Sequence, residues 1–154
     1  MLFSSFCWHN EDNFLFSINY LHEGAPKLWY GVPGASANIF EEAMRTLNPT
    51  LFARTPHLLM GLVTATPPGA LAALGVPLVR AVQNAGDVII TFPRAYHGGF
   101  NLGVWFLMTV ILVLISSAVQ CRRSCELCCS IMVTMGSRSN FVLSCYKKSA
   151  CNFT

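Results

Sequence analysis

Phe6-Cys7-Trp8-His9-Asn10-Glu11-Asp12 is the stretch from which the rest of the chain is read. His9 and Glu11 stand two apart. On a strand, residues i and i+2 point to the same face, so one imidazole and one carboxylate can grip one ion. A third donor must come from elsewhere. His97 lies just past an apolar run at Val88–Phe92, inside Tyr96-His97-Gly98-Gly99. The glycines let the backbone turn tightly and leave room beside a metal. Two histidines and one carboxylate on one face are the arrangement of non-haem Fe(II) oxygenases. A bare His-x-Glu also occurs by chance, and then it is a strand with two polar residues facing water.

Outward from this stretch the chain alternates strand and helix signals. Phe14 to Leu21 and Lys27 to Val32 are rich in aromatic and branched residues and read as strands, the second stopped by Pro33-Gly34. Ser36 is a cap for a helix reaching Leu47, with Ile39, Phe40, Ala43, Met44 and Leu47 at helical spacing. Thr55-Pro56 is a second helix start, and Pro68 to Leu74 a short helix ended by Gly75 and Pro77. Val79–Gln83 and Val88–Phe92 read as strands around an Asn84-Ala85-Gly86-Asp87 turn. The expected fold is mainly β, with a helical insertion.

Longer motifs narrow the reading. Phe6 to Asp12, then Ser17-Ile18-Asn19-Tyr20-Leu21-His22, then Gly24-Ala25-Pro26-Lys27-Leu28-Trp29-Tyr30-Gly31-Val32-Pro33, then Thr91-Phe92-Pro93-Arg94-Ala95-Tyr96-His97-Gly98-Gly99-Phe100-Asn101 follow one another in order. Together they resemble the JmjC (Jumonji C) domain, most closely that of the histone lysine demethylases carrying both JmjN and JmjC domains. The resemblance covers about residues 3–101.

The resemblance implies a double-stranded β-helix, a squashed jelly-roll barrel of the cupin type. It implies His9, Glu11 and His97 as ligands of Fe(II) and as the catalytic centre. It implies 2-oxoglutarate as cosubstrate, with Lys27 pairing the far carboxylate, Asn19 bonding the same group, Phe6 and Trp29 as apolar walls and Ser17 lining the pocket. A cationic side chain is what a buried dicarboxylate requires. The implied activity is oxidative demethylation of methyl-lysine on histone tails, with loss of formaldehyde, at chromatin in the nucleus. Phe6, Trp8 and Trp29 would equally serve any core, and Lys27 alone would equally be a solvated lysine. Cys7, His22 and His57 are expected to be structural or surface residues.

Past residue 101 the character of the chain changes. Residues 1–101 carry five Lys/Arg and six Asp/Glu; residues 102–154 carry five and one. Six of the seven cysteines follow residue 120, and all eight prolines precede residue 94. A boundary near Leu102–Gly103 divides a partial JmjC domain, 1–101, from a tail, 102–154, that lacks the family's continuing motifs. The final barrel strand is expected to be missing, and the chain to be a truncated or mis-spliced product, weakly active or inactive. Leu102 to Val119 has 14 apolar residues in 18 and would span about 27 Å as a helix. Arg122-Arg123 follows, so a non-catalytic membrane-anchored fragment is the alternative reading. A metal-binding cupin barrel without oxygenase activity is a third.

Composition sets outer limits. Of the 154 residues, 53% are hydrophobic and 11% charged, against about 25% charged in an average domain, which excludes a disordered chain. A net charge of +3 is too small to argue for nucleic acid, and no secretory leader pattern opens the chain. Cys121, Cys125, Cys128 and Cys129 are too crowded for the paired spacing of a structural zinc site.

Overall fold

The computed structural model describes residues 4–61, 64–112, 132–135 and 141–143. Among the described residues, nine strands form two antiparallel sheets. They are β1 (Ser5–His9), β2 (Phe16–Gly24), β3 (Lys27–Gly31), β4 (Val79–Gln83), β5 (Val88–Thr91), β6 (His97–Asn101), β7 (Trp105–Leu112), β8 (Met132–Met135) and β9 (Phe141–Leu143). One sheet has the order β1-β6-β3-β4 and the other β7-β2-β5-β8-β9. From β1 to β3 and from β4 to β7 consecutive strands alternate between the sheets, as in a jelly roll, whereas β3 and β4 are neighbours in one sheet and β7, β8 and β9 all belong to the other.

The expected strands are present with shifted ends. β2 starts at Phe16 because Asn13 and Phe14 have φ of +53°, outside any strand conformation. The Asn84–Asp87 turn forms as expected: Asn84 N donates to Asp87 Oδ2 at 2.8 Å, and Gly86 supplies a φ of +89°. β1 ends at His9, so Glu11 lies beyond the strand, in extended backbone (φ −71°, ψ 151°) that preserves the alternation.

Helices α1 (Ala37–Leu47), α2 (Pro49–Arg54) and α3 (Pro68–Ala73) form the insertion between β3 and β4. α1 buries Ala37, Phe40, Ala43 and Met44, while Ile39 and Leu47 of the expected apolar stripe are exposed. Ser36 makes no side-chain capping bond. Thr55-Pro56 opens no α-helix: α2 ends there, and a 3-10 turn follows at Leu58–Gly61. The buried faces of α1 and α3 meet Trp8, Val32 and Tyr96 in a purely hydrophobic cluster.

A second interior is polar. Along β2 burial alternates, with Ser17, Asn19 and Leu21 buried. Lys27, Gln83, Thr91, His97 and Asn101 are also buried. Gln83 ties the two sheets: its amide donates to the Asn19 carbonyl at 2.9 Å, and its Oε1 accepts from Trp29 Nε1 at 2.9 Å. Buried polar groups interleaved with the apolar Leu21, Trp29 and Ile89 suit a site between the sheets.

Past residue 101 only part of the expected helix is described. Trp105–Leu112 is not helical; it pairs antiparallel with β2, from Gly24↔Trp105 to Phe16↔Leu112. A strand therefore lines the edge of β2 opposite β5. An apolar run without charges suits strand or helix alike, and the unpaired edge of β2 decides between them. Residues 113–119 of the expected helix, the clustered cysteines and the Arg122-Arg123 pair lie outside the described residues. Among the described residues, no helix is long and apolar enough to cross a membrane.

Candidate metal centre

The bulge that shifts the β1–β6 register between Phe6 and His9 brings the two histidines opposite each other. Their ring centroids are 4.2 Å apart. His9 Nδ1 lies 2.8 Å from the Cys7 carbonyl, and His97 Nδ1 lies 3.0 Å from the Ala95 carbonyl. A carbonyl only accepts, so each Nδ1 carries a proton, and each Nε2 turns to the site, where it can donate to a carboxylate when protonated or give its lone pair to an ion when not. His97 Nε2 is 3.5 Å from Glu11 Oε1, close enough to share one ion or one proton. One donor atom from each of His9, Glu11 and His97 falls within 4.8 Å of the others, a grouping that could hold a metal.

The electrostatics favour a cation there. Glu11 is held down to about 2, chiefly by its hydrogen bond with His97 and also by Ser17, against the opposing effect of burial. It is ionised at any physiological pH. Burial, with His97 beside it, lowers the His9 pKa, favouring the neutral imidazole that a metal needs. A cleft of about 650 Å³ opens onto His9 and Glu11, bounded by Asn10, Asp12, Asn13, Phe14, Leu59 and Met60.

Next to the donors is a cationic seat. Lys27 Nζ lies 4.4 Å from the Phe6 ring centroid and 4.9 Å from that of Trp29, and the two rings meet edge to face at 4.7 Å. Burial pushes the Lys27 ammonium down to about 8. Lys27 is near enough to His9 to add to the lowering of its pKa. Trp29 is also within 5.9 Å of the His97 ring. Ser17 bonds the Thr91 hydroxyl across the β2–β5 pair. Asn19 is buried on the same face of β2 as Ser17. His22 and His57 are exposed and outside this grouping.

The matching profile of known families is that of the JmjC domain, described as a hydroxylase, over residues 1–110. The chain belongs to the JmjC domain family. The match runs past residue 101 and takes in most of β7, the strand that the sequence reading did not foresee. Among similar curated proteins, the JmjC chain is 59% identical over 103 residues to "Putative lysine-specific demethylase JMJ16" of Arabidopsis thaliana, covering 67% of this chain and 8% of that protein. It is 56% identical over 110 residues to "Lysine-specific demethylase 5D" of Homo sapiens, covering 71% and 7%. It is 57% identical over 103 residues to "Lysine-specific demethylase JMJ703" of Oryza sativa subsp. japonica, covering 67% and 8%. The chain thus spans less than a tenth of the length of these relatives.

Some residues of this JmjC site were not singled out in the sequence. Thr91 and Gln83 are fully buried against Ser17 and Trp29. Asn101 donates to the Ser4 carbonyl at 3.0 Å and to its hydroxyl at 2.7 Å, while its buried Oδ1 has no hydrogen-bond partner among the described residues. Their partners lie 54 to 97 residues away, beyond the reach of any local pattern.

Proposed function

We propose that this JmjC domain binds Fe(II) through His9, Glu11 and His97, binds 2-oxoglutarate beside it, and serves oxidative demethylation of methyl-lysine on histone tails at chromatin in the nucleus. The observation that carries the reading is the convergence of the three donors, within 4.8 Å, next to a buried ammonium walled by two aromatic rings. The donor set fits a ferrous ion: two neutral nitrogens and one carboxylate leave further positions open. Lys27 fits the anion, since a carboxylate seated against it restores the charged form that burial disfavours.

When bound, the iron supplies activation of dioxygen coupled to oxidative decarboxylation of 2-oxoglutarate. The chain's own part is positioning. The Cys7 and Ala95 carbonyls fix the tautomer and tilt of the two imidazoles. Ser17 steadies the Glu11 carboxylate in its ionised form. Lys27 and Asn19 would orient the far end of the cosubstrate, and Phe6 and Trp29 would keep water from it. The cleft over His9 and Glu11 is the route by which a methylated side chain would reach the centre.

The test is titration of the purified chain with Mn(II) or Co(II) under argon, then with 2-oxoglutarate. Saturable metal binding lost in His97→Ala, followed by metal-dependent 2-oxoglutarate binding, is expected. Formaldehyde release from methyl-lysine peptides then reads turnover. A chain that binds metal but not 2-oxoglutarate would be the cupin-type barrel without oxygenase activity. A chain that binds neither would refute the reading.

A further inference from the structure

We propose that Glu41 of α1, far from the metal donors in sequence, is a positioning residue for His97. The inference rests on the metal reading above. The His97 imidazole is oriented by the Ala95 carbonyl, at 3.0 Å from Nδ1. Ala95 belongs to the turn that joins β5 to β6, and its two neighbours both reach α1. On one side, Tyr96 donates its hydroxyl to Glu41 Oε1 at 3.1 Å. On the other, Arg94 lies 3.8 Å from the same oxygen and donates to Asn38 Oδ1 at 2.9 Å.

The turn needs such a clamp. Arg94 has a φ of +59°, a left-handed conformation that a side chain with a Cβ adopts only when its surroundings impose it. The backbone side of the clamp is equally close. The Tyr96 carbonyl accepts from Val32 N at 2.8 Å. A Cβ on Gly34 would stand 2.4 Å from the Pro93 carbonyl oxygen, so the loop entering α1 rests directly on the turn. The Tyr96 ring stacks on Phe40, one residue before Glu41, at 4.4 Å. The three residues of the turn are thus registered against one turn of α1. The carbonyl between them inherits that register and passes it to the ring of His97.

Arg45 provides an internal control. It also pairs with Glu41, at 3.8 Å, but through the other carboxylate oxygen and from a half-exposed position, and it reaches the turn only through its charge, which acts on Tyr96 more weakly than that of Glu41. Glu41→Ala and Tyr96→Phe should each raise the Co(II) dissociation constant about three- to tenfold, somewhat less than the loss usual for a direct partner of a ligand. They should also shift the visible absorption band of bound Co(II). Glu41→Gln, which keeps an acceptor for Tyr96, should restore most of the affinity. Arg45→Ala should leave both affinity and band unchanged.

If Glu41→Ala does not fold, Tyr96→Phe decides, because it keeps the stacked ring. Affinity and band like wild type in Tyr96→Phe, with only a lower melting temperature, would overturn the proposal and leave the metal reading intact. A wild-type chain that takes up no Co(II) would overturn both.

Discussion

Replacing Lys27 by methionine should move stability and cosubstrate binding in opposite directions. Lys27 is 6% exposed, and burial lowers its pKa from 10.5 to about 8. At about 1.4 kcal/mol per pH unit, keeping the ammonium charged in the folded chain costs about 3 kcal/mol. Solvent entering the site trims this to roughly 2 kcal/mol. Methionine fills a similar volume and carries no charge, but gives up the attraction of the Phe6 and Trp29 rings and the other contacts of the ammonium, of which the rings account for about 1 kcal/mol. The net expectation is a gain at pH 7 of at most about 1 kcal/mol, or roughly 2–4 °C in Tm. The pH dependence has a definite sign. Between about 8 and 10.5 the unfolded chain holds a proton on Lys27 that the folded chain has released. Wild-type stability attributable to this group therefore rises with pH across that window, and the rise disappears in Lys27→Met. Affinity for 2-oxoglutarate should fall roughly 10- to 100-fold, the worth of a charge-assisted bond. Thermal unfolding across pH and calorimetric titration of the metal-loaded chain measure the two effects. A variant that melts below wild type, or that keeps its 2-oxoglutarate affinity, would refute the assignment of Lys27 as a strained anion seat.

Two further substitutions probe the frame around the site. At Gly99→Ala, the new Cβ would stand 2.0 Å from the Leu28 carbonyl oxygen and 2.7 Å from the Phe6 ring, and backbone cannot yield as a side chain does. We expect a loss of about 3 kcal/mol by urea unfolding, whereas Gly69→Ala, where a Cβ meets nothing within 4 Å, should be neutral or stabilising. Gln83→Leu should cost about 2–4 kcal/mol, because it strands the Trp29 indole N–H and the Asn19 and Asp87 carbonyls, and should change the near-UV circular dichroism as Trp29 loses its anchor; unchanged stability would show that these groups find other partners.

Of the candidate donors, His9 and Glu11 were local in the sequence, sharing one extended stretch, whereas His97 stands far along the chain and was picked out by the motif around it; the structure brings the three into one grouping that could hold a metal. α1 was legible from the spacing of Phe40, Ala43 and Met44. β6 was not, because His97-Gly98-Gly99-Phe100-Asn101 lacks the branched residues that mark a strand. It is a strand because its glycines admit the backbones of β1 and β3, a requirement visible only once those neighbours are in place. β7 was misread for a different reason. An uncharged apolar run carries no period of its own, and the partner that settles its form, β2, lies more than 80 residues earlier. The polar ties of Gln83, Asn101 and Glu41 depend on separations of 54 to 97 residues, and each residue type is common enough to pass unnoticed.

Among the described residues, β1 has a sheet neighbour on one side only, β6. Two of the three candidate donors sit on or just beyond this border strand, and the third begins the strand it leans on. An ion held by all three would rivet the border to the body of the sheet, closing a span of nearly ninety residues with a single clasp. Occupancy and the fastening of the amino-terminal border would then be one equilibrium, so that whatever loosens the first strand also empties the centre, and whatever fills the centre also holds the strand.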